Sequence, residues 1–379
     1  MEQNLLGEEH LIFRDSVRRF LEREVLPHYD EWERDGIVPR EAWKKMGENG
    51  FLCPWLEEEY GGPGADFLCS VIVCEEFAYR GVTGLAASLH SDIIVPYIYS
   101  FGNEEQKRRW LPGCASAQIL TSIAMTEPNT GSDLAAIRTT AIRDGDHYVI
   151  NGQKTFISLG ILSDLVIVVA KTDPKAGRKG VSLICVESGT PGFSRGRKLD
   201  KMGWRSQDTA ELFFDDCRVP VSNLLGEEGK GFYYLMQKLQ QERLMASVMA
   251  QSMAEAMLDM TVKYCKQRTI FGAPVGSFQH NTFKIVEMAT EIELGRTFLD
   301  SLIADHVAGK EITKKASMAK AWIPEMANRV AYNCVQLHGG YGYMEEYPIC
   351  RFARDARVIS IFAGTTEVMK VIIGRMMGF

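Results

Sequence analysis

Glu242 is the residue with the most chemical consequence. It stands in Leu239-Gln240-Gln241-Glu242-Arg243-Leu244, and Leu235, Leu239, Met245 and Met249 lie seven or three residues to either side. At 3.6 residues per turn these spacings put all five on one helical stripe. A carboxyl group on an apolar stripe is costly to ionise, and burial raises its pKa toward that of a base working near neutral pH. A second arrangement fits the same residues. A rotated helix would set Glu242 at the edge of the stripe, paired with a lysine or arginine. Arg243 lies about 100° round the helix, as a structural or ligand-orienting partner.

A second group is polar. Thr126-Glu127-Pro128-Asn129-Thr130-Gly131-Ser132-Asp133 is a loop by composition. It reads as a plain turn or as a cradle: two threonines, a serine and backbone N–H groups suit the polar edge of an aromatic heterocycle. Gly192-Phe193-Ser194-Arg195-Gly196 matches the Gly-x-Ser-x-Gly elbow of serine hydrolases. An elbow needs a strand before it and a helix after it, and Lys198 to Gly203 does not open a helix. A Gly-rich surface turn is the preferred reading. Neither Gly-x-Gly-x-x-Gly nor a P-loop occurs, so any nucleotide or flavin site is not of Rossmann or Walker type.

Composition narrows the class. The net charge of −6 and the lack of a basic block point away from nucleic acid. No apolar run is long enough to span a membrane. Met1-Glu2-Gln3-Asn4 is neither a signal peptide nor an Arg-rich transit peptide, which gives a cytoplasmic expectation for a complete chain. The nine cysteines show no Cys-x-x-Cys and read as free buried thiols. The seven histidines form no His-Glu-x-x-His or clustered ligand set, so no metal site is expected.

The elements that must position Glu242 and the polar loop fall into three parts, within 379 residues that allow two or three domains or one large compact unit. Residues 1–120 show helical periodicity over Ser16 to Tyr29, Arg40 to Phe51 and Cys69 to Tyr79. Residues 121–225 hold short segments rich in β-branched and aromatic residues: Tyr148 to Asn151, Thr155 to Ser158, Leu165 to Ala170, Val181 to Val186 and Glu211 to Phe214. Residues 226–379 return to long helices, predicted over 231–263, 278–306, 312–337 and 364–376. The expectation is a multidomain α+β protein: an N-terminal helical domain, a central antiparallel β-barrel or sandwich, and a C-terminal four-helix bundle.

Thr126-Glu127-Pro128 with Gly131-Ser132-Asp133, then Asn151-Gly152-Gln153-Lys154-Thr155-Phe156-Ile157-Ser158, closely resembles the flavin signature of the acyl-CoA dehydrogenases. Tyr60-Gly61-Gly62, Phe101 to Lys107, Lys266-Gln267-Arg268-Thr269-Ile270-Phe271-Gly272, Gln336-Leu337-His338-Gly339-Gly340 and Ile361 to Glu367 extend the resemblance over nearly the whole chain. It implies FAD as cofactor. Met125 and Thr126 would meet the pyrimidine edge of the ring, with Gly131 and Ser132 beside them. Phe156 would pack on the ring, and Ile157 and Ser158 would lie near N5. Arg268 would pair with the pyrophosphate of a neighbouring subunit's FAD, where its planar fork of donors suits phosphate oxygens. Phe271 and Gln279 would contact the adenine side. Gln336, Gly339 and Gly340 would add backbone and amide contacts, and Thr365, Thr366 and Glu367 would meet the flavin.

Many members of that family carry the catalytic glutamate just before the Gly-Thr of the last segment, where this chain has Ala363. A smaller branch, including the long-chain and isovaleryl enzymes, carries it on a helix before an arginine, as Glu242 stands before Arg243. The resemblance therefore implies a relocated base: Glu242 takes the α-proton of an acyl-CoA, and FAD takes the β-hydride. The Ala363 N–H stabilises the thioester oxygen, and Ser132, Tyr233, Arg243 and Gly364 contact the substrate. It further implies an electron-transferring flavoprotein as acceptor and a homotetramer built as a dimer of dimers. Gln207 to Leu212, Tyr233 to Gln237 and Tyr347-Pro348 look most like the long-chain branch, although Gln240 stands where long-chain relatives usually have proline. A short branched, aromatic or alicyclic acyl-CoA is the alternative substrate. An acyl-CoA oxidase, usually a longer chain, and a catalytically silent acyl-CoA or flavin-binding protein are the alternative functions.

Overall fold

A computed structural model describes residues 5–379; the start from Met1 to Asn4, read above as non-targeting, lies outside them. Helices α1 (Glu8–Phe20), α2 (Leu26–Asp35), α3 (Arg40–Glu48), α4 (Phe67–Tyr79), α5 (Val95–Phe101) and α6 (Glu104–Ala115) form the first part. Two wide π turns, Leu21–Val25 and Leu89–Ile94, were not expected. Each comes just before a proline, Pro27 or Pro96, which lacks the N–H that a regular helical ladder needs. Asn103 caps α6 in a reciprocal box with Gln106.

The middle part is one eight-stranded sheet, β1 (Thr121–Ala124), β2 (Thr140–Asp144), β3 (His147–Ser158), β4 (Leu165–Lys171), β5 (Val181–Glu187), β6 (Phe193–Lys198), β7 (Thr209–Pro220) and β8 (Leu224–Leu225). Its order is β6-β7-β3-β2-β4-β5-β8, with β1 paired to β4. The antiparallel expectation needs one refinement, because β1 runs parallel to β4 over four residues and β2 meets β4 in parallel at Thr140 and Lys171. The two expected segments 148–151 and 155–158 are one strand, β3, kinked by irregularities at Gly152 and near Phe156. The Gly192–Gly196 segment is a turn only at Gly192, where φ is +83°. Phe193–Lys198 is the edge strand β6, and no helix follows it, so the elbow geometry is absent.

Helices α7 (Gly231–Gln267), α8 (Gln279–Val307), α9 (Thr313–His338), α10 (Pro348–Ala356) and α11 (Thr366–Met376) complete the chain. Helices α7, α8 and α9 pack pairwise, α11 docks on α9, and α4 packs on α7. From Arg243 to Val248, α7 is buried at every position. It is therefore an enclosed helix there, wider in its burial than the single stripe expected. The sequence periodicity could not show that α4, α9 and α10 close around it. All nine cysteines are free, and only Cys350 is not buried.

Candidate functional site

Glu242 sits on α7 just before the helix becomes enclosed. The residue keeps some exposure, but its Oε2 is covered and has no hydrogen-bond partner. Burial pushes its pKa up to about 7, against the opposing pull of the Arg243 and Lys320 cations. Both arrangements considered for this residue are therefore partly present: the acid is desolvated, and it also faces positive charge. Arg243 is buried, with its Nη1 3.4 Å from Ser317 Oγ and its Nε unpartnered. The hydroxyl of Tyr97 on α5 is fully buried and unpartnered, and both burial and the Glu242 charge hold its proton in place.

Lys320 on α9 was not foreseen. It has no exposed surface, and its ammonium donates to the Gly364 carbonyl at 3.0 Å. That bond links the Glu242 region to the Phe362–Thr365 turn. Ala363 adopts φ +53° and Gly364 φ +86°. Left-handed backbone costs a non-glycine residue roughly 1–2 kcal/mol, so surrounding contacts must hold Ala363 there. Phe362 packs edge-on against Trp204 at 5.4 Å. Trp204 is fixed in turn by Asp355, which accepts from the Trp204 backbone N–H at 2.7 Å and from Thr83 at 2.9 Å. One buried carboxyl thus joins the three parts of the chain behind the turn. The Thr365 hydroxyl accepts from the Val368 N–H to start α11.

The polar loop has its own buried anchor. Lys154, facing inward on β3, bonds the Met125 carbonyl at 3.0 Å and Glu127 Oε1 at 2.9 Å. The Glu127 carboxylate also accepts from the Arg138 and Thr139 N–H groups at 2.6 and 2.9 Å. Burial alone would raise the Glu127 pKa, but the Lys154 charge and these N–H groups together hold it below its ordinary value. Thr155 N–H donates to Thr126 O, which draws the expected loop and β3 together. Asp208 accepts from Ile161 N–H and fixes the turn after Ser158.

What this surface offers fits a flat heterocycle. Phe156 is 68% exposed and held at φ +58°. Ser158 donates to Gln207 Oε1 at 3.4 Å, while Gln207 Nε2 is buried without a partner. Beside Gly131 a side chain would meet nothing within 4 Å, so the backbone there is open to a ligand. Ser132 is exposed, and Met125 and Thr126 are half-buried.

The remaining candidates lie elsewhere in the chain. Arg268, Gln336, Gly339 and Gly340 line one open cavity of about 730 Å³ with Tyr264, His280 and Tyr341. Phe271, 94% exposed at φ +48°, lies between α7 and α8, and exposed Gln279 is the first residue of α8. Arg268 follows the last residue of α7, 26 residues beyond Glu242. At 1.5 Å rise per residue that is roughly 39 Å along the helix. The structure therefore links Glu242 to the Ala363–Gly364 turn through Lys320 and keeps Arg268 far from Glu242. Tyr233 is exposed at the start of α7, and Glu367 is exposed at the start of α11. His10, Asp66 and Cys69 place ligand atoms within 4.8 Å of one another, but His10 and Asp66 are engaged as caps of α1 and α4.

Three stretches match family domains: residues 7–118 the acyl-CoA dehydrogenase N-terminal domain, 122–217 the middle domain and 229–378 the C-terminal domain. The chain belongs to the acyl-CoA dehydrogenase family. It is an oxidoreductase acting on CH–CH bonds, in a family of flavoproteins. It is 50% identical to the long-chain specific acyl-CoA dehydrogenase of Sus scrofa, over 98% of this chain and 87% of that one. It is 41% identical to an acryloyl-CoA reductase (NADH) of Anaerotignum propionicum, over 99% and 95% of the two chains. An acyl-CoA dehydrogenase from Geobacillus kaustophilus superposes with a TM-score of 0.98 at 58% identity, covering 99% of this chain and 100% of that one. Among the described residues of this acyl-CoA dehydrogenase, no helix is long and apolar enough to cross a membrane.

Signals for the missed residues existed. Lys154 keeps the inward parity of Tyr148 and Ile150 on β3. Lys320 interrupts Ala316-Ser317-Met318-Ala319-Lys320-Ala321-Trp322-Ile323, a run of small and apolar residues that carries one ammonium.

Proposed function

We propose that this acyl-CoA dehydrogenase oxidises long, straight acyl-CoA thioesters to trans-2-enoyl-CoA, with Glu242 as the base. The carrying observation is a desolvated carboxyl with an unpartnered Oε2 on α7, tied through Lys320 to the turn that presents the Ala363 N–H. Glu242 takes the α-proton. The Ala363 N–H, in its left-handed turn, stabilises negative charge growing on the thioester oxygen. Bound FAD supplies the acceptor for the β-hydride. On this reading Met125, Thr126, Gly131, Ser132, Phe156, Ile157, Ser158, Thr365, Thr366 and Glu367 surround the flavin. Ser132, Tyr233, Arg243 and Gly364 contact the acyl-CoA.

Arg268, Phe271, Gln279, Gln336, Gly339 and Gly340 then serve the dinucleotide half of a neighbour's FAD in a homotetramer. The distance along α7 supports that division, since one chain's Glu242 and Arg268 stand too far apart for the same ring. Exposed apolar side chains on α8 and α11, among them Phe283, Val286, Leu294 and Val371, support burial against other subunits. Electrons leave to an electron-transferring flavoprotein. Half identity to long-chain enzymes along nearly the whole chain supports the substrate class. The Anaerotignum relative supports one alternative, reduction of a short enoyl-CoA. The test is a panel of acyl-CoA substrates mixed anaerobically with the purified yellow protein, read as flavin bleaching. Fastest bleaching on long straight chains is the expected result. Bleaching confined to a short or branched acyl-CoA overturns the substrate assignment, and no bleaching with any overturns the activity.

A further inference from the structure

We propose that Lys320 is a positioning residue for this reaction, its single buried ammonium holding the Ala363–Gly364 turn and balancing the charge of Glu242. The proposal rests on the function stated above, but its geometry stands independently. Lys320 Nζ is 3.0 Å from the Gly364 carbonyl and 6.0 Å from the centroid of the Phe362 ring. The cation therefore engages the turn on both sides of Ala363, whose positive φ needs outside support. The Gly364 carbonyl belongs to the 364–365 peptide plane, and the Ala363 N–H to the 362–363 plane, so the ammonium holds the turn just after Ala363 through the hydrogen bond and just before it at the Phe362 ring.

The same ammonium faces the base. Around it stand Glu242 and Arg243 from α7 and Glu325 from its own helix; Glu325 is itself engaged by Thr366 of α11 at 2.7 Å. Around Glu242 stand Arg243, Lys320 and the Tyr97 hydroxyl. Of the two cations beside Glu242, Lys320 is the one that also bonds the turn. Its positive charge favours the ionised carboxylate and so opposes the burial that raises the Glu242 pKa. Lys320 thereby couples the readiness of the base to the placement of the oxyanion donor, and it touches no reacting atom.

The experiment uses FAD-loaded protein and two variants. Lys320→Met removes both charge and donor at similar length. Lys320→Gln removes the charge and keeps a donor. The first readout needs no substrate: infrared titration of the buried carboxyl C=O band, assigned to Glu242 by its loss in Glu242→Gln. Its midpoint should rise by roughly one pH unit in both variants, the low end for losing a nearby opposite charge. The second readout is anaerobic flavin reduction by acyl-CoA. Its limiting rate should fall roughly tenfold in Lys320→Met, short of the 10²–10³ for losing an oxyanion donor outright, with little change in acyl-CoA affinity. The acid limb of its pH profile should move upward with the infrared midpoint. An unchanged midpoint in a folded variant overturns the proposal. So does failure of both variants to fold, which would mean a purely structural lysine. If the parent is bleached by no acyl-CoA while the midpoint still moves, the enzymatic reading fails and the electrostatic link remains.

Discussion

Replacing Glu242 by glutamine should cost activity and raise stability, and the stability gain should depend on pH. The carboxyl is held near a pKa of about 7 by burial, against an ordinary value of 4.5. Between those values the folded protein binds a proton that the unfolded chain has released. Stability therefore falls as pH rises from about 4.5 to 7 and stays lower above that window. Two and a half pKa units correspond to about 3 kcal/mol. Glutamine removes that cost but leaves its own amide in a place without partners, which takes back about 1 kcal/mol. The net gain at pH 8 is then about 2 kcal/mol. With roughly 2.1 cal/mol/K of unfolding entropy per residue, a chain of this length should melt about 2–3 °C higher. At pH 5 the parent carboxyl is protonated in the fold, and the difference should shrink to about 1 °C or vanish. The assay is thermal unfolding of parent and Glu242→Gln at fixed protein and FAD concentration, at pH 5 and pH 8, because bound cofactor and subunit association both move the midpoint. Flavin reduction by acyl-CoA should fall by roughly 10² or more in the same variant. Equal melting differences at both pH values, or a parent more stable at pH 8, would refute the buried-base account. Bleaching as fast as the parent would place the base elsewhere.

Lys154→Met should leave the Glu127 carboxylate buried without its cation, costing about 3–5 kcal/mol; lower melting and loss of yellow colour on purification would show it. Arg268→Ala should weaken FAD retention, measured as FAD per subunit after gel filtration, while light scattering reports the tetramer; a monomer that retains FAD fully contradicts the shared-cofactor reading. In the parent, reduction by acyl-CoA should rise with pH to half its maximum near pH 7, where Glu242 loses its proton, and a flat profile from pH 6 to 8 would oppose its role as base.

The helices and most strands were legible because apolar periodicity survives in a chain whose core spans the full length. The forecast 231–263 and the observed Gly231–Gln267 describe the same helix. Elements that carry little periodicity were not legible. Helix α5 is only Val95–Phe101, β1 is four residues, and β6 hides within a Gly-x-Ser-x-Gly match. What was legible of Glu242 was its place on a largely apolar helix face, while two of the groups around it, Tyr97 and Lys320, come from far along the chain. Lys320 and Asp355 were not legible, because what they do depends on contacts with residues 44 and 151 positions away, Gly364 and Trp204. Only the fold states those pairings.

On the proposed assignment of Glu242 as base, those long-range contacts explain how the turn stands without an acid at position 363. Ala363 is held by the Lys320 bond to Gly364, by Phe362 against Trp204, and by the Thr365 cap of α11. None of these contacts uses the side chain at 363. The backbone N–H and the side chain at that position are thus separable, and on the proposed reading a carboxylate could act from either α7 or the turn. Ala363→Glu placed in the Glu242→Gln background should therefore restore part of the flavin reduction, about tenfold of the roughly hundredfold lost. Restoration should stay incomplete, since a carboxylate at 363 would need room on a half-buried turn packed against the core and would meet the Lys320 charge from another side. The measurement is the anaerobic reduction rate of the double variant against Glu242→Gln alone. A double variant that binds FAD and acyl-CoA normally yet gains no rate would show that only the helix position reaches the α-proton.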